Sequence, residues 1–90
     1  MLPLVWRAEA RADLLAIITY IADRNVPAAE RLHAAIEHTA EQLPAHPYIH
    51  RPGRVAGTRE AVVHPNYILV YRVADAIEVL AVLHARQQYP

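Results

Sequence analysis

Seven side chains in the second half of the sequence are of types suited to phosphodiester chemistry: Arg51, Arg54, Arg59, His64, His84, Arg86 and Tyr89. Arginine neutralises the charge that grows on phosphate oxygens, gripping two of them at once with its planar fork. Histidine or tyrosine moves protons to and from ribose oxygens. Metal-free RNA cleavage needs little more. The 2′-hydroxyl is the nucleophile, so a protein has only to deprotonate it, protonate the leaving 5′-oxygen and hold the strand in line. A terminal tyrosine can also stack on a base, worth about 1 to 3 kcal/mol. Plainer roles compete for the same residues. His64 precedes Pro65 and suits a turn, His84 suits a backbone bond that caps the last strand, and neighbouring Arg72 suits a surface pair with Glu78.

Other chemistries lack their residues. The chain has no cysteine, which removes thiol nucleophiles, thiolate zinc sites and disulfides, and fits a reducing cytoplasm. It has no serine and only Gly53 and Gly57, so neither a serine hydrolase grouping nor a phosphate-cradling glycine loop can be built. His33 and His38 differ by five, off the i, i+4 spacing of a helical metal pair, and His46 and His50 fall in a segment with no helical pattern. Neither metal nor cofactor is expected. The zero net charge conceals an asymmetry: residues 1–50 carry four Arg against six acidic residues, whereas residues 51–90 carry five Arg against three. That split suits an anionic partner for the second half. All nine basic residues are Arg. This suits phosphate binding, and equally the codon usage of a GC-rich genome.

These residues must be positioned by one domain, because 90 residues leave room for a single core and 54% apolar content can supply it. The most apolar run, Leu14 to Ala22, is too short to cross a bilayer and no secretory leader pattern opens the chain, so no membrane partner is expected. Leu14, Ile17, Ile18 and Ile21 make a helical stripe within Ala8 to Arg24. Asn25-Val26-Pro27 breaks the chain and restarts it, and a second stripe of Leu32, Ile36, Thr39 or Ala40, and Leu43 runs to about Leu43. Residues 44–57, with three Pro and two Gly, read as a loop. Thr58 to His64, Tyr67 to Val73 and Ile77 to Leu83 read as strands joined by Pro65-Asn66 and Ala74-Asp75-Ala76 turns, which forces antiparallel pairing. Tyr67, Leu69, Tyr71 and Val73 share one face of their strand and read as core. Leu2 to Trp6 offers a fourth, edge strand. The expected fold is α+β, a helical hairpin packed on a mainly antiparallel sheet of three to four strands. Register decides the face of His84, since a slip of one residue moves it from the open side to the helix-covered side.

Across nearly the whole chain, the strings ARADLLAIITYIA, NVPAAERL, LPAHPYIHRPGRVAGTREAVVHPNYILVYRV and IEVLAVLHARQQYP, in this order, resemble the RelE/ParE superfamily of toxins from bacterial type II toxin-antitoxin modules. The resemblance implies a cytoplasmic toxin neutralised by a cognate antitoxin that wraps its acidic helices and apolar grooves. RelE-like members cut mRNA on the ribosome; ParE-like members inhibit DNA gyrase by binding and are not nucleases. On the RelE-like pattern, Arg59 and Arg86 hold the scissile phosphate, His84 is general acid or base, and Tyr89 stacks on or orients a base. Arg51, Arg54 and His64 join as RNA contacts. Two further cations of that pattern are Ala61 and Ile68 here, a departure that favours the gyrase branch. The VLHAR string fits both branches, and the Gln87-Gln88-Tyr89 tail favours the nuclease. The resulting expectation is a metal-independent, ribosome-dependent mRNA endonuclease. The alternatives are a gyrase-binding toxin and a module that binds its antitoxin but poisons nothing.

Overall fold

The computed structural model describes residues 1–89. Ala8–Ala22 forms the first helix, α1, a stretch free of Gly and Pro and rich in the best helix formers. It lays Leu14, Ile17, Ile18 and Ile21 against the core and buries Ala10 completely. The helix closes two residues before the expected Arg24, where the Asp23 N–H donates to the Thr19 carbonyl and the Arg24 and Asn25 N–H groups both turn back to Ile21. Asn25 then caps α2, Val26–Gln42, its Oδ1 accepting from the Ala28 N–H at 3.0 Å, with Pro27 in the first turn where its missing N–H costs nothing. Ala29, Leu32, Ile36 and Ala40 lie buried along α2. Leu43, just past its end, is fully buried too.

Five strands make one sheet in the order β1-β5-β4-β3-β2: β1 is Leu4–Trp6, β2 Arg51–Pro52, β3 Arg59–His64, β4 Tyr67–Val73 and β5 Ile77–His84. The sheet is thus one strand larger than the upper expectation. The extra strand, β2, lies inside the segment read as loop, where two residues pair with Glu60 and Arg59. The N-terminal segment does form the edge strand, and it runs parallel to β5, with Leu4 opposite Ile77 and Trp6 opposite Val79. The other pairings are antiparallel. Both helices cover one face of the sheet. Beneath them Leu69, Tyr71, Ile77, Val79 and Val82 form the main core with Leu32, Ile36 and Leu43. Each such aliphatic side chain contributes about 1.5 to 3 kcal/mol by leaving water. The other face carries a smaller cluster of Ile68, Val70, Ala81 and Leu83, roofed by Ala85 and Tyr89 of the C-terminal tail.

Candidate functional site

Two register shifts decide where the histidines go. On β5 the pairing slips between Val70 and Tyr71, leaving Leu80 as an extra residue, so that Ile77, Val79 and Val82 face the helices while Ala81 and Leu83 face away. Simple alternation from Ile77 would have put His84 on the open face. The bulge returns it to the helix side, opposite Tyr67. On β3 a second shift, between Val62 and His64, brings His64 opposite Tyr67 from the other side. The result is a row of three rings, with His64 5.8 Å and His84 5.4 Å from the Tyr67 ring centre. Each imidazole accepts a backbone N–H two residues on, His64 Nδ1 from Asn66 at 3.0 Å and His84 Nδ1 from Arg86 at 3.1 Å. Those bonds engage Nδ1 of each ring and leave Nε2 as the nitrogen that can meet a ligand. A cleft of about 470 Å³ lies beside the row, between Arg31 and Leu32 of α2 and His64, Asn66 and Tyr67 of the sheet.

Arg59 occupies the opposite end of the sheet, where it pairs with Tyr71. At about 3.3 Å of rise per residue it stands roughly 16 Å along β3 from His64. Its guanidinium donates to the carbonyls of His50 at 2.8 Å and Tyr48 at 3.3 Å, and sits 5.0 Å from the Tyr48 ring centre. Tyr71, fully buried, completes the clamp by donating its hydroxyl to the Pro47 carbonyl at 2.6 Å. Burial pushes the Tyr71 phenol up, against the opposing pull of the Arg59 charge, and pushes the edge-on His50 imidazole down.

The open face is organised by Glu60, which is 3% exposed. Its carboxylate takes Arg51 Nη2 at 3.1 Å, the Arg54 N–H at 3.0 Å and Arg54 Nε at 3.4 Å. Arg54 in turn donates Nη1 to the Gln87 carbonyl at 2.8 Å and Nη2 to the Ala85 carbonyl at 3.2 Å. The tail is therefore tied down through one arginine to one buried carboxylate. Tyr89 packs on the open-face cluster and Arg86 is exposed on the turn after β5.

Of the expected set, the structure brings His64 and His84 together around Tyr67, with Arg86 adjacent in sequence, and brings Arg51 and Arg54 together on Glu60. It does not bring Arg59 to His84, because the two occupy opposite ends of the sheet, and Tyr89 lies on the face that His84 does not share. Arg59, His84, Arg86 and Tyr89, expected to act together near the strand ends, are therefore not gathered in one place. Ala61 and Ile68 are buried, at 0% and 2%, so a cation at either would sit in a core rather than on a surface. The plainer roles hold alongside: Arg72 donates to both Glu78 oxygens at 3.1 Å, and Glu78, also paired with Arg7, is held below the ordinary carboxylate range by those guanidiniums. Glu60 was missed, although it is the only acidic residue between Glu41 and Asp75 and stands among three arginines, which is a readable signal. Among the described residues no group of three metal-ligating side chains converges, and no helix is long and apolar enough to cross a membrane.

Comparison with known proteins matches residues 4–89 to the family model of the ParE toxin of the type II toxin-antitoxin system parDE. The toxin homologue Y4kP of Sinorhizobium fredii is 38% identical over 86 residues, covering 94% of this chain and 90% of that protein. Toxin RelE2 of Caulobacter vibrioides is 36% identical over 88 residues, covering 94% and 97%. A chain in the solved structure of the chromosomal ParDE TA system from P. aeruginosa superposes with a TM-score of 0.82 at 26% identity, over 93% of this chain and 96% of that one. With its helical hairpin, its five-stranded sheet and a family match over nearly its full length, the chain belongs to the ParE family of type II toxins, within the RelE/ParE superfamily.

Proposed function

We propose that this toxin acts by binding a protein and that its target is DNA gyrase, the target implied by its ParE-like character, rather than by cutting mRNA. The observation that carries the reading is the separation of Arg59 from His84, with Arg51, Arg54 and Arg59 already bonded inside the fold. The nuclease pattern puts Arg59 and His84 on one scissile phosphate, and a phosphate at either end of the sheet would meet only one of the two. The antitoxin implied by the family would cover the exposed apolar side of α1, where Leu15 is 68% and Tyr20 59% exposed, beside a groove lined by Leu14, Ile18, His33 and Glu37. Action would be cytoplasmic, and no cofactor enters.

The second reading, ribosome-dependent mRNA cleavage, is favoured by the His64, Tyr67 and His84 row with exposed Arg86 next to it. One pair of assays separates the two. Purified toxin at micromolar concentration is expected to inhibit gyrase supercoiling or trap its cleavage complex, and to leave a translated message intact in a cell-free extract. Untouched gyrase together with a message cut on the ribosome would overturn the proposal.

A further inference from the structure

The segment between α2 and β2 spends an unusual amount of structure on holding two largely exposed residues, one of them, Tyr48, backed on one side by the Arg59 guanidinium. Tyr48 and Ile49 are 65% and 70% exposed, among the most exposed large apolar side chains of the protein. Single exposed apolar residues are ordinary on a surface. These two are adjacent, and the backbone around them is fixed. The carbonyls of Pro47, Tyr48 and His50 are held at 2.6, 3.3 and 2.8 Å by the hydroxyl of buried Tyr71 and the guanidinium of Arg59. Pro44, Pro47 and Pro52 stiffen the same stretch by fixing φ. The loop has thus lost its conformational freedom before any partner arrives, which is the cost that binding otherwise meets.

We propose that Tyr48 and Ile49 form a preorganised knob that seats in an apolar socket, rimmed by carboxylates, on the toxin's folded protein target. The proposal rests on the reading that the toxin acts by binding, though not on which protein it binds. The apolar pair supplies the anchor, an aromatic and an aliphatic side chain of the kind that dominates interface energetics. The rim follows from charge: residues 44–60 hold Arg51, Arg54 and Arg59 against one carboxylate, Glu60, which is buried and pairs with Arg51 and Arg54, so the segment keeps a net positive charge. A two-residue projection suits a socket on a globular partner. The antitoxin, by contrast, has exposed Leu15 and Tyr20 of α1 and the groove beside them. A nucleic acid is the poorer fit, because Ile49 offers neither a stacking face nor a polar group to a base.

The test compares Tyr48→Ala, Ile49→Ala, the double variant and Tyr48→Phe by induced growth arrest and by co-purification with the cognate antitoxin. Because both side chains are exposed, all four should fold and retain the antitoxin. Each Ala variant should need about tenfold more toxin for equal arrest, the loss expected of an interface anchor, with Tyr48→Phe near wild type. Wild-type arrest in the double variant would overturn the proposal. So would loss of the antitoxin with arrest retained, which moves the knob to the other interface, and so would dependence on Tyr48 alone, which points to base stacking. Failure of the binding reading is distinguishable, since it appears as a cut message with the wild-type toxin.

Discussion

At the scale of the residue, the most consequential side chain is one with no chemistry to perform. Glu60 is a carboxylate buried on the open face of the sheet, and its removal would leave the Arg54 N–H and the Arg51 guanidinium without their acceptor and take from Arg54 its charge partner. Deleting one member of a fully buried pair costs about 3 to 5 kcal/mol. Here the Arg51 side chain is 55% and that of Arg54 34% exposed, so both can turn to water. Glu60→Ala should therefore cost less, about 2 to 3 kcal/mol, and Glu60→Gln, which keeps an acceptor oxygen, about half of that. Urea denaturation checks the pair; a midpoint for Glu60→Ala within error of wild type would remove Glu60 from its organising place. The same residue shows what a chemistry-first reading overlooks. Arginines scanned for phosphate contacts read as free cations, and the lone acid that already holds two of them passes as background.

At the scale of the element, the sequence was most legible where a pattern is local and least where it is interrupted by distant partners. The helical stripes located both helices to within two residues, because the positions that meet the core are three and four apart, and Asn25 with Pro27 marks its restart whatever the tertiary context. The strand from Tyr67 to Val73 is found at its expected bounds, and the turn at Pro65-Asn66 falls where expected. β2 was not legible: two residues of an Arg-Pro pair carry no strand pattern, and only β3 beside them makes them one. The bulge at Leu80 was not legible either, since the run Ile77 to Leu83 alternates acceptably without it, and so the face of His84 could not be read. The tail, finally, is an element held by side chains rather than by its own backbone pattern, through Arg54 on the carbonyls of Ala85 and Gln87. Arg54→Ala should release it while leaving the helical core intact. Each of the two lost bonds is worth about 1 kcal/mol, so trypsin should cut after exposed Arg86 about thirty times faster, read by mass spectrometry as loss of the last four residues. An unchanged cleavage rate would mean that Tyr89 alone keeps the tail in place.

At the scale of the whole molecule, two ionisable groups link its parts and give its stability a defined dependence on pH. His50 lies in the loop that Tyr71 and Arg59 clamp to the end of the sheet, and burial lowers its pKa from the ordinary 6.5. Glu78 joins β5 to Arg72 of β4 and to Arg7 at the start of α1, and those partners, the hydrogen bond from Arg72 foremost, lower its pKa from the ordinary 4.5. Both shifts act in the same direction. A group whose folded pKa is depressed takes up its proton more readily in the unfolded chain, so stability is full above the unfolded value and is lost as pH falls through the folded one. The protein should therefore weaken in two stages on acidification, the first beginning near 6.5 with His50 and the second below 4.5 with Glu78. The stages are separable by mutation. His50→Asn should flatten the fall in urea midpoint between about pH 7 and pH 5 and leave the lower stage intact. Arg72→Ala should do the reverse, because it takes away the largest contribution to the Glu78 shift while leaving the loop unchanged. Equal slopes for His50→Asn and wild type above pH 5 would show that the half-buried loop histidine does not couple to folding, and that the clamp on Tyr48 and Ile49 is insensitive to its charge.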